Sequence, residues 1–550
     1  MIGKYDNMKK LFIALLIIAS AVGNVFSQTM LISGGNDHGV ALCNKGEIFA
    51  WGYNKGNRLG LKPPYDSETV VNRPQLVNIP VGLTFSQVSA GSGSHTVALS
   101  CKKVVYAWGL NDKYQAGQTS GDVVDKPMPV LCGEATNHGY EEDGITKGKY
   151  LGDVKKIAAT TSGSLALLDD GTAVMWGGNG NYQGGETPPL FKASTATPIF
   201  IRDENKKILE NIIDIYGGDN NLTLIVGKSP TDMTGTVYSM GNWNGRGGSG
   251  NLESDPTSFV AMPVIIADPN DGQEPSTGNK TLNAVKTSGI ADAGGFAFDE
   301  NEGYLYSWGN NGWGGMVGLE IPQTYTYASK VIAGEYTQIS KEAYMTNVHQ
   351  VIGGNGYGAL VTEDGYLLYM GKHNPTGRDG GIVPSSEWAE STKLNGGTDN
   401  DPGPIFAKYC KGEKDKNKEV IVNDAAAIGR GDLFGFMVNK DGDFYVWGNT
   451  KWPGDVMPDE VGTLGLGFNG ASDDPEGKGY RTCLSKLELL CSPQDECPKI
   501  YMVGPRRKCP GETDSLYCGF TPTTKSVRNY FFRWSLNGVV LNESTLKQAQ

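Results

Sequence analysis

Histidine is scarce in this chain, with five residues in 550. His38 and His95 stand at matching points of an internal repeat, while His138, His349 and His373 are scattered. No Ser/His/Asp set can be assembled from them by any known spacing. None of the nine cysteines forms a Cys-x-x-Cys pair, which removes the usual basis for a zinc site. Positive charge is also short: 48 Lys and Arg face 60 Asp and Glu, for a formal net charge of −12. Residues 1–27 hold three lysines and one aspartate, so the remainder carries about −14. Such a chain repels phosphate backbones, and nucleic acid is set aside as a partner. Beyond the N-terminal region no apolar run is long enough for a membrane span.

What is present points elsewhere. Residues 8–28 read "MKKLFIALLIIASAVGNVFSQ": two lysines, an apolar run from Leu11 to Ala21, then Val25 and Ser27 placed for cleavage before Gln28. This reads as a secretory signal peptide over 1–27, too short in its apolar part for comfortable spanning. Export makes disulfides possible. Five cysteines fall in the last 70 residues, and Cys43 and Cys101 sit one position out of phase in equivalent strands, so they are not expected to pair. Glycine, at 77 residues, is about twice the usual share. Beside 25 Tyr and 10 Trp it indicates many short strands joined by tight turns.

An internal repeat organises the chain. Tryptophan-glycine recurs at Trp51, Trp108, Trp176, Trp308 and Trp447, and Met240 and Met370 stand in for tryptophan in two further copies. Five residues earlier lies glycine in six of the seven copies (Gly46, Gly171, Gly235, Gly303, Gly365, Gly442) and Lys103 in the other. Each copy holds an apolar segment ending in glycine, a small-apolar strand, a turn such as "DDG" or "KDG", the Trp-Gly strand and, in several copies, a proline-bearing fourth strand. Asp-Gly and Lys-Gly suit hairpin turns, since glycine accepts positive φ. Four short antiparallel strands per unit cannot bury both faces alone and must stack radially.

The stretch "SGSHTVALSCKKVVYAWGLNDKYQAGQ" resembles a repeat of the regulator of chromosome condensation family. The first copy matches its pattern best, at His38, Ala41, Leu42, Trp51, Gly52, Asn54, Leu59 and Gly60. The resemblance covers about residues 29–490 and implies an all-β fold, a seven-bladed β-propeller of four-stranded antiparallel blades over 28–490. Trp51, Trp108, Trp176, Met240, Trp308, Met370 and Trp447 are then structural, filling the space between blades. The chain departs from the pattern in three ways. The marks are 57 to 77 residues apart, histidine keeps its place only twice, and the Leu-Gly ending is degraded. Residues 491–550 form a linker and an incomplete C-terminal β-sandwich module. Cys509, Gly511, Glu512, Phe532, Trp534, Asn537 and Gly538 resemble the first half of an immunoglobulin-like module. A full one needs about 100 residues. The combination resembles multidomain exported proteins of Bacteroidota-type bacteria, many of which end in a sorting domain.

With strands named a to d, the a–b and c–d loops emerge on one side of a blade and the b–c and d–a connections on the other. The b–c turns are minimal. The c–d loops carry one ring per repeat: Tyr53, Tyr114, Tyr182, Trp243, Trp313, His373 and Trp452. Rings in a flexible Gly/Asn setting give binding area at low entropic cost, so these residues are the candidate ligand-binding face. Packing over neighbouring blades is the alternative for each of them. No residue is assigned a catalytic or metal-binding role, and no cofactor is expected. "GGNGNYQGG" leaves a strand without opening a helix, so it is no phosphate cradle. Asp441 and Asp443 lack the later bidentate glutamate of a calcium loop. The expectation is an exported, non-catalytic scaffold or adhesin holding an extracellular protein or glycan, secreted or at the cell surface. Two alternatives are a secreted carbohydrate-active enzyme using paired carboxylates and a secreted enzyme inhibitor. Resemblance supplies the latter, since secreted members of the family include protein inhibitors of β-lactamases. Intracellular members act as exchange factors for a small GTPase, a role that export and acidity oppose.

Overall fold

Each Trp-Gly phrase closes the third strand of a four-stranded antiparallel sheet. The computed structural model describes most of residues 32–489 and four short strands between 500 and 546. The longest stretches outside the described residues are 1–31, 179–193, 241–260, 311–323, 371–403, 450–462, 468–479 and 504–516. Blade 1 consists of Ile32–Gly34, His38–Leu42, Ile48–Tyr53 and Val70–Leu76, paired in chain order as a to d. Blades 2 to 7 span 85–129, 154–200, 212–263, 285–330, 348–406 and 425–487. The a strand of each blade neighbours that of the next, and the last, Ala425–Arg430, returns to Ile32–Gly34. The a strands therefore form the inner ring of a seven-bladed β-propeller. Among the described residues every blade is one continuous segment, so the ring closes by packing between blades 1 and 7.

The repeat signature has a local cause. In blades 1, 2, 3, 5 and 7 the c–d ladder skips the tryptophan, which sits in a bulge. The bulge frees the indole from the ladder and turns the next residue to φ between 96° and 112°, at Gly52, Gly109, Gly177, Gly309 and Gly448. A side chain there would also collide, since a Cβ on Gly52 would lie 2.2 Å from the carbonyl oxygen of Asp37. The strain and the clash together make the pair Trp-Gly rather than Trp-x. All seven repeat positions are buried, with at most 1% exposure. The residue facing each tryptophan on strand b is small: Gly39, Thr96, Ser164, Gly295 and Gly435.

The tryptophan of one blade seats on the loop of the blade before it. A Cβ on Gly60 of blade 1 would touch Trp108, one on Gly117 of blade 2 would touch Trp176, and one on Gly465 of blade 7 would touch Trp51. These glycines have φ of 61°, 68° and 70°. Trp176 Nε1 donates to the Gln115 carbonyl (3.2 Å) and Trp51 Nε1 to the Thr463 carbonyl (2.9 Å). The Leu-Gly ending, degraded in sequence, is thus kept as a shape at Leu59-Gly60, Ala116-Gly117 and Leu464-Gly465. Inner strands are stitched by side chains as well. Gln87 bonds the backbone of Lys155 and Ile157, and Gln350 makes two bonds to Ile428, so inner-strand edges are satisfied across blades.

Outer edges are protected. Strands d carry Pro74, Pro127, Pro129, Pro198 and Pro263, which blunt an edge because proline offers no N–H. Blade 7 is covered instead. Lys408–Tyr409 adds in parallel to strand d (Tyr480–Leu487), Val420–Ile421 adds outside it, and a disulfide joins Cys410 to Cys483. Cys43 is also disulfide-bonded, and Cys101 is not its partner. The C-terminal segment shows two separate hairpins, Ile500–Val503 with Tyr517–Phe520 and Tyr530–Leu536 with Val539–Leu546. Among the described residues these hairpins do not pair with each other, and the expected β-sandwich module is not seen there.

The long spacing between blades 2 and 3 is an insertion on the b–c side. Its hairpin, Gly139–Tyr140 with Tyr150–Leu151, is held by His138. The imidazole lies between Asp153 (Nδ1, 3.7 Å) and Asp170 (Nε2, 3.0 Å). These carboxylates push its pKa up to about 9. His138 in turn holds both aspartates low against the effect of their burial. A raised histidine pKa gives stability that is full below about 6.5 and is lost as pH rises through about 9. His138→Ala should therefore lower the thermal midpoint near pH 6, by an effect on the order of 1 kcal/mol after solvent screening. The difference from the unsubstituted protein should vanish by pH 10. A difference unchanged between pH 6 and 10 in a calorimetric series would refute the ion pair's role.

Candidate ligand-binding face

The a–b and c–d loops do share one side. Tyr53, at the start of the c–d loop of blade 1, donates its N–H to Asp37 of the a–b loop, and Leu110 of blade 2 does the same to Ser94. On the other side the b–c turns meet the d–a connections, as where the Phe85 N–H reaches the Gly46 carbonyl. Gly46, Lys103, Gly171, Gly303, Gly365 and Gly442 all have positive φ, so Lys103 adopts the glycine conformation in its turn.

Beneath the loops lies a polar framework that runs from blade to blade. His38 Nε2 contacts Thr96 Oγ1 (3.3 Å), and that hydroxyl donates to the carbonyl of Arg58 (3.0 Å). His95 Nε2 contacts Ser164 Oγ (3.0 Å), which donates to the Gln115 carbonyl (2.9 Å). Each hydroxyl spends its proton on a carbonyl, so both histidines must donate from Nε2. Both are fully buried. Burial above all, with the nearby Arg58 cation, lowers the pKa of His38 far below its usual value. Burial brings His95 down to about 4. They are neutral spacers, as their repeat position implied, and neither reaches solvent to act as a base. Tyr357 replaces histidine in blade 6 and donates toward the carbonyls of Gly431 (3.0 Å) and Phe434 (2.7 Å) in blade 7.

Two polar residues of this framework, Arg58 and Arg430, escaped the sequence reading. Arg58, in the c–d loop of blade 1, is 1% exposed and bonds Asp37 at 3.2 Å. Burial lowers its pKa, and Asp37 opposes that shift. Arg430 ends strand a of blade 7 and reaches the carbonyl of Gly217 (3.2 Å), at the end of strand a of blade 4. It therefore bridges the inner ring at the loop side. Only the pairing of Asp37 with a basic residue in the "NRLG" loop carried any sequence signal.

The ring residues fare unequally. Tyr53 does not protrude. It is the last residue of strand c, 6% exposed, with its hydroxyl on the Glu68 carboxylate and the Arg58 guanidinium 5.7 Å from the ring centre. The reason is the Trp51-Gly52 bulge, which turns the chain so that the residue after glycine rejoins the ladder and faces inward. Tyr114 is half-buried on its loop at φ 64°. Tyr182, Trp243, Trp313, His373 and Trp452 lie outside the described residues. Among the described residues no group of three or more His, Cys, Asp or Glu is placed to hold a metal ion. No helix of the described residues is long and apolar enough to cross a membrane.

Seven four-stranded blades, with the tryptophans of blades 1, 2 and 3 seated on the loop of the preceding blade, define a repeat-built β-propeller. The Regulator of chromosome condensation (RCC1) repeat matches residues 45–99, and a second form of the same repeat matches 85–115. Protein pim1 of Schizosaccharomyces pombe is 29% identical over 211 residues, 38% of this chain and 36% of that protein. Human Probable E3 ubiquitin-protein ligase HERC3 is 39% identical over 103 residues, 18% of this chain and 9% of that protein. The chain thus matches about a third of pim1 and a small part of HERC3. The crystal structure of Prp20p from Saccharomyces cerevisiae superposes with a TM-score of 0.55 at 19% identity, covering 86% of this chain and 90% of that one. Human WBSCR16 gives 0.54 at 15%, covering 82% and 96%. These structures share the propeller fold.

Proposed function

We propose that this chain is an exported, non-catalytic scaffold that binds another protein through its a–b/c–d loop face. The observation that carries this reading is the contrast between the two layers of that face. Polar loops rise from a framework in which His38, His95, Tyr357 and the carbonyl of Arg58 bond the neighbouring blade. A rigid base with variable loops is how propellers and other scaffolds present binding residues. Similar propellers favour a protein ligand: the Prp20p study describes binding to Gsp1p and histones, and yeast RCC1 was solved with Kap60 bound. The N-terminal signal-like segment and the disulfide Cys410–Cys483 favour an oxidising compartment. The C-terminal segment, read as an immunoglobulin-like module, fits a role at the cell surface. A glycan ligand on the same face is the second reading, favoured by the rings at Trp243, Trp313 and Trp452.

The test is capture. The mature protein immobilised on beads, with surface proteins of its own source as prey, should retain a defined partner. Trp243→Ala, Trp313→Ala and Trp452→Ala together should reduce that capture at least tenfold without moving the thermal midpoint, since hot-spot rings carry most of an interface's energy. Undiminished capture by the triple variant would remove these residues from the site.

A further inference from the structure

We propose that the opposite side of the ring carries a second, independent site: a pocket between blades 4 and 5 suited to a small neutral polyhydroxylated ligand, a mono- or disaccharide unit. The pocket has a volume of about 360 Å³, and its lining includes Asn279, Lys280 and Asn283 from the connection between the two blades and Asp299, Asn301 and Glu302 from the b–c turn of blade 5. That size is at the lower end of small-molecule pockets.

Asp299 is the pivot. It is 5% exposed, and its Oδ1 accepts the N–H groups of Asn301 (2.8 Å) and Glu302 (3.1 Å), which shapes the turn. Its Oδ2 has no hydrogen-bond partner among the described residues. Blade 7 shows that a carboxylate is not needed for the turn. There the same register position is Asn439, facing Ala425 as Asp299 faces Val285, and its Oδ1 accepts from Asp441 (3.1 Å) and Asp443 (2.8 Å). Blade 5 therefore keeps a buried charge that the fold does not require. Burial first, then the charges of Glu302 and Glu300, raise its pKa, which marks the lack of an internal counter-charge. The nearby Lys330 is engaged with Glu302 (3.2 Å), which also accepts from the Tyr306 hydroxyl (2.6 Å).

The lining selects the ligand class. An anion would meet Asp299 and Glu302, and a metal ion would meet the Lys280 ammonium. A neutral ligand rich in hydroxyls meets complementary groups: its O–H donates to the open Oδ2 in a charge-assisted bond, and its oxygens accept from the amides of Asn279 and Asn301 and from Lys280.

An array of neutral hexose- and N-acetylhexosamine-terminated glycans, followed by calorimetric titration of the best-bound glycan, tests this. The unsubstituted protein should bind, and Asp299→Asn should bind at least tenfold more weakly. The same variant should keep or raise the thermal midpoint, because asparagine preserves the Oδ1 acceptor. Asn301→Ala should weaken binding with the fold intact. Three results would overturn the site: no glycan retained by the unsubstituted protein, equal binding by Asp299→Asn, or binding lost only in the variant lacking Trp243, Trp313 and Trp452. The last result would assign the glycan to the opposite face and leave that face's own reading standing.

Discussion

Trp51→Ala is expected to cost about 3–5 kcal/mol of stability, the range for emptying a buried tryptophan site. Its position makes the loss more than local. The indole is fully buried, packs edge-on against Phe436 of blade 7 with ring centres 5.6 Å apart, and donates to Thr463. Around it Ile32, Ala41, Phe434, Val446, Leu464 and Leu487 form one apolar cluster drawn from both blades. Among the described residues no peptide connection between blades crosses this seam, so side-chain packing holds it together with the backbone bonds from Asp432 N–H to Gly35 (3.2 Å) and from Gly467 N–H to Asn72 (2.8 Å). The comparison is Trp176→Ala, which empties an equally buried site at a seam that the chain does cross. Both variants should lose several kcal/mol in denaturant unfolding. Only Trp51→Ala should also speed hydrogen exchange selectively in Ile32–Gly34 and Phe434–Asn439. Equal exchange at both seams in the two variants would show that closure does not depend on Trp51.

The disulfide between Cys410 and Cys483 should account for the other large effect. Its cysteines are 73 positions apart in sequence, and the loop they close contains nearly all of blade 7. The chain-entropy estimate for a loop of that size is about 4 kcal/mol, and loss of a native disulfide ordinarily costs about 2–5 kcal/mol. The bond also fixes the parallel strand Lys408–Tyr409 over the outer edge of Tyr480–Leu487. Cys410→Ser with Cys483→Ser should lower unfolding free energy by about 2–5 kcal/mol and raise exchange at Lys408–Tyr409 and Tyr480–Leu487 before the other blades. Cys43 is disulfide-bonded too, so the double variant isolates this bridge better than a reducing agent does. A double variant as stable as the parent would leave the strap to its hydrogen bonds alone.

Both effects concern blade 7, the first at its seam with blade 1 and the second at its outer edge, and periodicity alone reveals neither. The Trp-Gly register, the turn glycines and the proline-bearing d strands were legible because each answers a backbone demand within a few residues. Gly52 must take φ of 103°, and Lys103 shows that the demand persists where glycine is absent. The structural rank of Trp51 and of the two repeat histidines was legible for the same reason. Tyr53 was misread as a presented ring, because its direction depends on a bulge that only the register with strand d reveals. Arg58 and Arg430 were not singled out, because their partners lie on other loops or across the inner ring.

The sequence by itself determined the number of blades, the order of strands within each and the side from which the loops rise. These follow from short-range geometry: turn conformation, strand alternation and the steric need for glycine beside a bulged tryptophan. Tertiary structure alone decided which blade seats which tryptophan, that among the described residues blade 7 meets blade 1 without exchanging a strand, that Cys410 pairs with Cys483, and that Asp299 is buried with one oxygen open to a pocket. These depend on distances between residues tens or hundreds of positions apart. Such distances are set by how seven wedge-shaped sheets close into a ring, and no local pattern encodes that closure.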